Sequence, residues 1–467
     1  MSVIQMSEDK QEKSRKELKP ERNRKEQDRM KKIRIRKGEE AGAAASLSNR
    51  TDSDFGEVDA SVCEIVEKVK RDGDEALYYF SEKFGGPGKE RIGSLRVSEE
   101  EIEEACRATE PELTEALRMA AENIRSFHEK QMSESWSYRK GDGILLGQLV
   151  RPIRNVGVYI PGGKAPLSSS VLMNVIPAKI AGCERIVMCS SPEGDGKINK
   201  YILAAAKIAG VDEIYKAGGA QAIAAMAYGT ESIRPVSKIT GPGSAYVARA
   251  KKYVFGTVDI DMIAGPSEVC IIADSTADPE YIAADMLAQA EHDEMASSIL
   301  ITDSEETADR AAAALQRQIS VLERREIASQ SVENNAVIFV TEDLDSAFLI
   351  ADEIAPEHLE LMIPDAEKRL DMVNCAGAVF LGQYSPEPLG DYLAGPNHTL
   401  PTGGTARFAS PLGVYDFLTR TSVISYSREE LQKVNREIIR LAESEELTAH
   451  ANAVRVRFGN EGKKAKA

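Results

Sequence analysis

Hydrophobic and polar positions divide the chain into regimes with different periods. Residues 1 to 29 carry almost no apolar side chains. Such a stretch cannot bury enough surface to offset the entropy of ordering, so it is expected to be disordered or a frayed helix. Met30 then begins KKIRIRKGEE, which alternates like a strand; this makes Met30 the natural start and the preceding segment an upstream extension. From residue 56 to about 134, VDASVCEIVEKVKRDGDEALYYFSEKF, VSEEEIEEACRAT and ELTEALRMAAENIRSFHEKQ repeat their apolar residues at three and four spacing. That period predicts a helical layer, in which His128 is a partly buried helix residue.

After residue 150 the pattern becomes a series of strand, turn and helix. NVGVYIPGG, ERIVMCSS, VDEIYKAGG and VSKITGPG read as strands running into Gly-containing turns, each followed by a helical segment. Four such units in about 105 residues predict a parallel sheet with helices on both faces. The series resumes after IDMIAGPSEVCIIAD with a helix over 279 to 291, SSILITD, a long helix over 305 to 325, AVIFVTE, a helix over 343 to 354, HLELMI and AGAVFLG. The economical expectation is two α/β sheets in tandem, followed from about residue 425 by a small helical tail.

Charge sharpens this picture. Residues 1 to 37 hold 14 Lys/Arg against 7 Asp/Glu, so with a whole-chain charge of -16 the remainder carries -23. A body so acidic argues against nucleic acid as the main partner, although a basic nucleic-acid arm is the sharper alternative for the extension. The six cysteines are scattered without a CxxC pair and read as reduced core residues. No run approaches 18 apolar residues and no hydrophobic leader is evident, so the expectation is a cytoplasmic protein without a membrane partner.

Only five histidines occur, and four sit in polar knots: QAEHDE, APEHLEL, GDYLAGPNH and LTAH. Gln289 and His292 are three apart at a helix end and could chelate one ion; read alone, the cluster is an acidic helix end. Glu357 beside His358 supplies two proton-transfer groups with separable pKa values, or else a solvated strand entry. The segment from 390 to 407 is rich in Gly and Pro and lacks an apolar period, which predicts a long ordered loop or lid. It offers Asp391 as a hard ligand and His398 as a substrate contact. His450, with Glu445 ahead of it, reads by itself as a surface helix histidine. PGGKAPLSS, AGGAQ and GPGSAY each follow a strand and open a helix, where backbone N–H groups can meet a phosphate. None is GxGxxG, so each alone is a tight turn, and three on one sheet favour a nucleotide or phosphate ligand.

Together these segments resemble the histidinol dehydrogenases from Met30 to the C-terminus. The most specific stretch is VDIDMIAGPSEVCIIADSTADPEYIAADMLAQAEH, joined in order by YIPGG, GGAQAIAA, APEHLEL, GDYLAGPNHTLPT and ELTAHANAV. The resemblance implies an α/β fold of two Rossmann-like parallel-sheet domains in the aldehyde-dehydrogenase manner, with small helical N- and C-terminal elements. The expected division is 30–150 with 268–384, then 151–267 on the NAD side, then 385–467 as lid loop and tail. It further implies a zinc-dependent, NAD-linked four-electron oxidation of L-histidinol through L-histidinaldehyde to L-histidine, in a cytoplasmic homodimer whose sites are shared between subunits. Zinc ligands fall on Gln289, His292, Asp391 and His450, and the proton-handling pair on Glu357 and His358. Substrate contacts fall on Ser267, Gln289, His292, His358, Asp391, His398 and Glu445; NAD contacts fall on Tyr159, Gln221 and Ser244. One position departs: the family commonly has Asn where GPGSAY has Ser244, and the shorter hydroxyl leaves that contact to a bridging water, at some loss of NAD affinity. Two rivals stay open at this level, a sister dehydrogenase acting on another polyol or amino alcohol and a zinc hydrolase without NAD.

Overall fold

Strands covered on both faces read as unbroken apolar runs, and every residue of Glu268–Ala273, Ser297–Thr302, Val337–Val340 and His358–Met362 is buried. The structure is a computed structural model that describes residues 30–45, 47, 55–162 and 166–459. The charged extension 1–29 and the middle of the PGGKAPLSS turn, 163–165, lie outside the described residues.

Two compact units share the chain. The first takes the residues up to Val66 with Pro242–Tyr253 and Met262–Leu412; the second takes Glu67–Gly241, Val254–Asp261 and the residues from Gly413 onward. In the first unit a six-stranded parallel sheet runs in the order Lys31–Arg34, Val337–Val340, Ser297–Thr302, Glu268–Ala273, His358–Met362, Ala378–Leu381. Side chains alternate across it as a pleated strand requires. Val269, Ile271 and Ala273 join Ile282 and Met286 on one face, while Cys270 and Ile272 join Phe348 and Ile350 on the other.

The second unit holds a five-stranded parallel sheet in the order Glu213–Lys216, Arg185–Ser190, Asn155–Ile160, Lys238–Thr240, Asp259–Ile260. It also carries an antiparallel ribbon of Leu418–Tyr426, Ile144–Pro152 and Trp136–Arg139. The two α/β sheets expected from the sequence are therefore both present, and no helix among the described residues is long and apolar enough to cross a membrane.

The observed division departs from the expected one, with Met262–Ser267 also in the first unit and the tail from Gly413 in the second. Helices Glu99–Ala108 and Pro111–His128 pack on Lys200–Ala209 and Ser168–Ala181, so residues 67–150 belong with the second sheet. Helix Ala245–Val254 belongs, up to Tyr253, to the first unit, where Arg249 pairs with Asp59. Residues 385–412 also stay with the first unit: Gly265 N donates to Thr402 Oγ1 at 2.6 Å, and Leu400 and Asn397 are buried. The stretch expected as a lid is thus packed chain that opens with a helix, Glu387–Tyr392.

The single helix expected over 305 to 325 is two, Glu305–Ile319 and Arg325–Asn335. Val321, which should have continued the apolar stripe, is 82% exposed, and the Ser320 hydroxyl turns back onto the Arg317 carbonyl. His128 is fully buried. Of the cysteines expected in the core, Cys183, Cys189 and Cys270 are buried and Cys63 is exposed; all six are free.

Candidate active site and metal centre

In strand His358–Met362 the alternation puts His358, Glu360 and Met362 on one face. Met362 packs with Ile282 and Met286 of helix Pro279–Ala290, which fixes that face as the one the helix covers. Asp285 and Gln289 stand one turn apart on the helix, a rise of about 6 Å that matches the two-residue step of the strand. Two buried polar layers result. Asp285 is hydrogen-bonded to the Glu360 carboxyl, and the Gln289 amide meets His358.

The chain enters this strand through Ala355, whose left-handed backbone (φ 48°) ends helix Leu344–Ile354 and turns the chain into Pro356. Gly377 passes so close that a Cβ there would lie 2.5 Å from the Glu357 carbonyl oxygen, so the neighbouring segment can approach only as glycine.

His358 Nδ1 lies 3.0 Å from the Glu268 carbonyl oxygen. A carbonyl only accepts, so this contact assigns the proton to Nδ1 and leaves the lone pair on Nε2. Nε2 is buried and has no hydrogen-bond partner among the described residues. Burial, partly opposed by the Asp391 charge, lowers the imidazole pKa to about 4, so the ring is neutral near pH 7. The arrangement is that of a general base with its accepting nitrogen free.

Glu357 takes the opposite shift. Burial raises its pKa well above the usual carboxylate range, against the opposing effect of the Glu268 N–H, which donates to Oε2 at 2.9 Å, and of a hydrogen bond with Ser267. Glu357 Oε2 is 3.8 Å from His358 Nδ1, and with a neutral imidazole that contact is not an ion pair. Adjacent residues therefore hold a carboxyl group with a raised pKa and an imidazole with a lowered one, two proton-transfer groups of separated strength.

The metal-ligating types gather beside this pair. His292, Asp391 and Glu387 can each present a ligand atom with all three atoms inside 4.8 Å of one another. His292 is exposed just beyond its helix, Asp391 is half-buried, and Glu387 is buried. One end of the Gln289 amide lies 3.1 Å from Glu387 Oε2, 3.2 Å from His358 Nδ1 and 3.3 Å from the Glu268 carbonyl oxygen; the two oxygens accept, which assigns that end as the nitrogen and leaves the oxygen as the free ligand atom. His398 Nδ1 lies 3.0 Å from the Asp391 carbonyl oxygen, again assigning the proton to Nδ1; burial lowers its pKa too. Nitrogen and oxygen donors without sulfur suit zinc, and a set of two or three such donors leaves positions for further ligands.

Ser267, Gln289, His292, Glu357, His358, Asp391 and His398 thus all belong to the first unit. Glu445 and His450 belong to the second, where Glu445 caps helix Arg428–Ser444 and His450 lies in helix Thr448–Arg455. Both are exposed beside Leu441 and Leu447, along an apolar groove. Tyr159 and Gln221 are buried in the second unit at the carboxyl ends of its strands. There the Gly219 N–H, at the start of helix Gly219–Tyr228, donates to the Tyr159 hydroxyl at 3.0 Å. Ser244 is exposed and precedes helix Ala245–Val254 of the first unit.

Sequence reasoning missed Glu387, Glu360 and Asp285. Two had a signal: Glu387 stands four before Asp391 in EPLGD, and Glu360 is a charge inside the apolar run HLELM. Reasoning from doubly wound sheets also pointed to the carboxyl ends of strands, whereas Glu357 and His358 enter at the amino end of theirs.

The family model of histidinol dehydrogenase matches residues 48–458. Histidinol dehydrogenase of Bacillus thuringiensis subsp. konkukian is 54% identical over 404 residues, covering 86% of this chain and 93% of that protein. The Aquifex aeolicus histidinol dehydrogenase is also 54% identical, over 401 residues, with 86% and 92% covered. A crystal structure of histidinol dehydrogenase from Elizabethkingia anophelis superposes with a TM-score of 0.85 at 39% identity, covering 92% of this chain and 98% of that one. The buried acid and base, the ligand types gathered beside them and these matches over nearly the whole chain agree: it belongs to the histidinol dehydrogenase family of enzymes.

Proposed function

We propose that this protein oxidises L-histidinol to L-histidine in two NAD-linked steps through L-histidinaldehyde, with one zinc ion per subunit, as part of histidine biosynthesis. The observation that carries the reading is the buried pair at Glu357 and His358, with His358 Nε2 unpartnered among the described residues and the metal-ligating cluster alongside.

Gln289 through its amide oxygen, His292 and Asp391 would hold the zinc, with His450 as the fourth protein ligand. Bound zinc supplies a redox-inert anchor for the substrate's nitrogens. His358 Nε2 takes the alcohol proton as the first hydride leaves for NAD. Glu357 then removes a proton from the water that adds to the aldehyde, and its raised pKa makes its carboxylate the stronger base for that task. A second NAD would take the hydride that leaves the hydrate, and the conversion of alcohol to carboxylate balances with one water entering and two hydrides and three protons leaving. Ser267 and the Glu268 N–H hold Glu357 in place. His398 and Glu445 contact the substrate, and Tyr159 and Gln221 contact NAD, with Ser244 reaching it through a bridging water.

The exposure of Glu445 and His450 next to Leu441, itself 66% exposed, supports a homodimer in which the tail of one subunit completes the site of its partner. A metal test separates this reading from a metal-free one. Chelation should abolish NADH production from histidinol and zinc should restore it. Turnover of another amino alcohol with none of histidinol would assign the chain a different substrate.

A further inference from the structure

We infer that Glu387 is a positioning residue that fixes the Gln289 amide with its oxygen free to ligate. This rests on the proposed zinc site. Gln289 is fully buried, so water cannot orient its amide, and only the oxygen of an amide is a useful ligand atom. Which end faces the metal is decided by what the other end meets: the Glu268 carbonyl oxygen at 3.3 Å and Glu387 Oε2 at 3.1 Å, which accept from an NH2 group, and His358 Nδ1 at 3.2 Å, whose own proton is directed at the Glu268 carbonyl. The carbonyl is already shared with His358 Nδ1 at 3.0 Å, which leaves Glu387 as the acceptor dedicated to Gln289.

Glu387 is itself held. Its backbone N–H donates to Glu360 Oε1 at 3.0 Å, and it begins the short helix whose last turn carries Asp391. One residue therefore couples the helix that bears Gln289 to the helix that bears Asp391. Groups that orient ligands in this way commonly change metal affinity by about 10- to 100-fold when removed.

The test is zinc affinity, measured by competition with a chromophoric chelator on the purified full-length protein, for wild type, Glu387→Ala, Glu387→Gln, Gln289→Ala and the Gln289→Ala/Glu387→Ala double variant. Expected is a loss of about 10- to 100-fold for Glu387→Ala, recovered to within a few fold by Glu387→Gln, which keeps an acceptor oxygen. In the Gln289→Ala background, Glu387→Ala should cost nothing further, because its effect passes through the amide. Additive losses would make Glu387 a ligand in its own right and overturn the inference. So would a Glu387→Ala protein that unfolds at lower temperature yet binds zinc as wild type does. Wild-type protein that binds no zinc would remove the metal reading, and this inference with it.

Discussion

At the scale of single residues, burial does most of the chemical tuning. The same desolvation that raises Glu357 lowers His358, because it disfavours whichever form is charged. Their roles should separate kinetically. Glu357→Gln is expected to release one NADH per site in a burst and then to stall about 10²- to 10⁴-fold below wild type, whereas His358→Asn slows the first hydride transfer as well; single-turnover absorbance at the NADH band distinguishes the two. Burial of a neutral imidazole also has a thermodynamic signature. The folded pKa near 4 lies below the unfolded value of 6.5, so the unfolded state binds the proton first as pH falls. Metal-free wild type should therefore lose stability relative to His358→Asn between about pH 6.5 and pH 4, by an upper figure of roughly 3 kcal/mol, read from denaturant midpoints. At this scale much of the candidate site was legible, since Gln289, His292, Glu357, His358, Asp391 and His398 stand in compact polar knots of the sequence. Glu387 was legible only as a carboxylate four before Asp391; its part is a contact made across the fold, 98 residues from Gln289 in the chain.

At the scale of elements, the site depends on helix Pro279–Ala290 lying along strand His358–Met362 in one register. The Asp285 and Glu360 layer sets that register, and burial raises the Asp285 pKa to about 6. Because the folded pKa exceeds the unfolded 3.8, the pair favours folding at low pH and loses that advantage as pH rises from about 4 through 6. Asp285→Asn keeps a hydrogen-bonding side chain without the charge, so its stability should gain on wild type across that window and stay ahead at pH 8, by roughly 1–3 kcal/mol in urea unfolding. A wild type that stays level with the variant across that range would show that burial does not raise the Asp285 pKa. The parallel strands announced themselves as apolar runs with Gly turns. The ribbon of Ile144–Pro152 with Leu418–Tyr426 did not, because its pairing closes a loop of more than 260 residues that no local period records. The break after Ile319 was hidden for a related reason: only the exposure of Val321 shows that the helical stripe had left the core.

At the scale of the whole molecule, the proposed ligand His450 comes from the tail of the second compact unit, and that tail exposes apolar surface. If sites are shared between subunits, each of two inactive variants can repair the other. Mixing Glu357→Gln with His450→Ala under conditions of subunit exchange should restore about a quarter of wild-type activity, since half the dimers are mixed and each mixed dimer has one intact site of two. Sites built within one chain would give no recovery. The most direct test of the central claim counts products. Purified protein given histidinol and NAD should form two NADH for each histidine, with no free aldehyde accumulating and with all turnover lost on removal of zinc; one NADH per product released, or turnover that survives without metal, would contradict it.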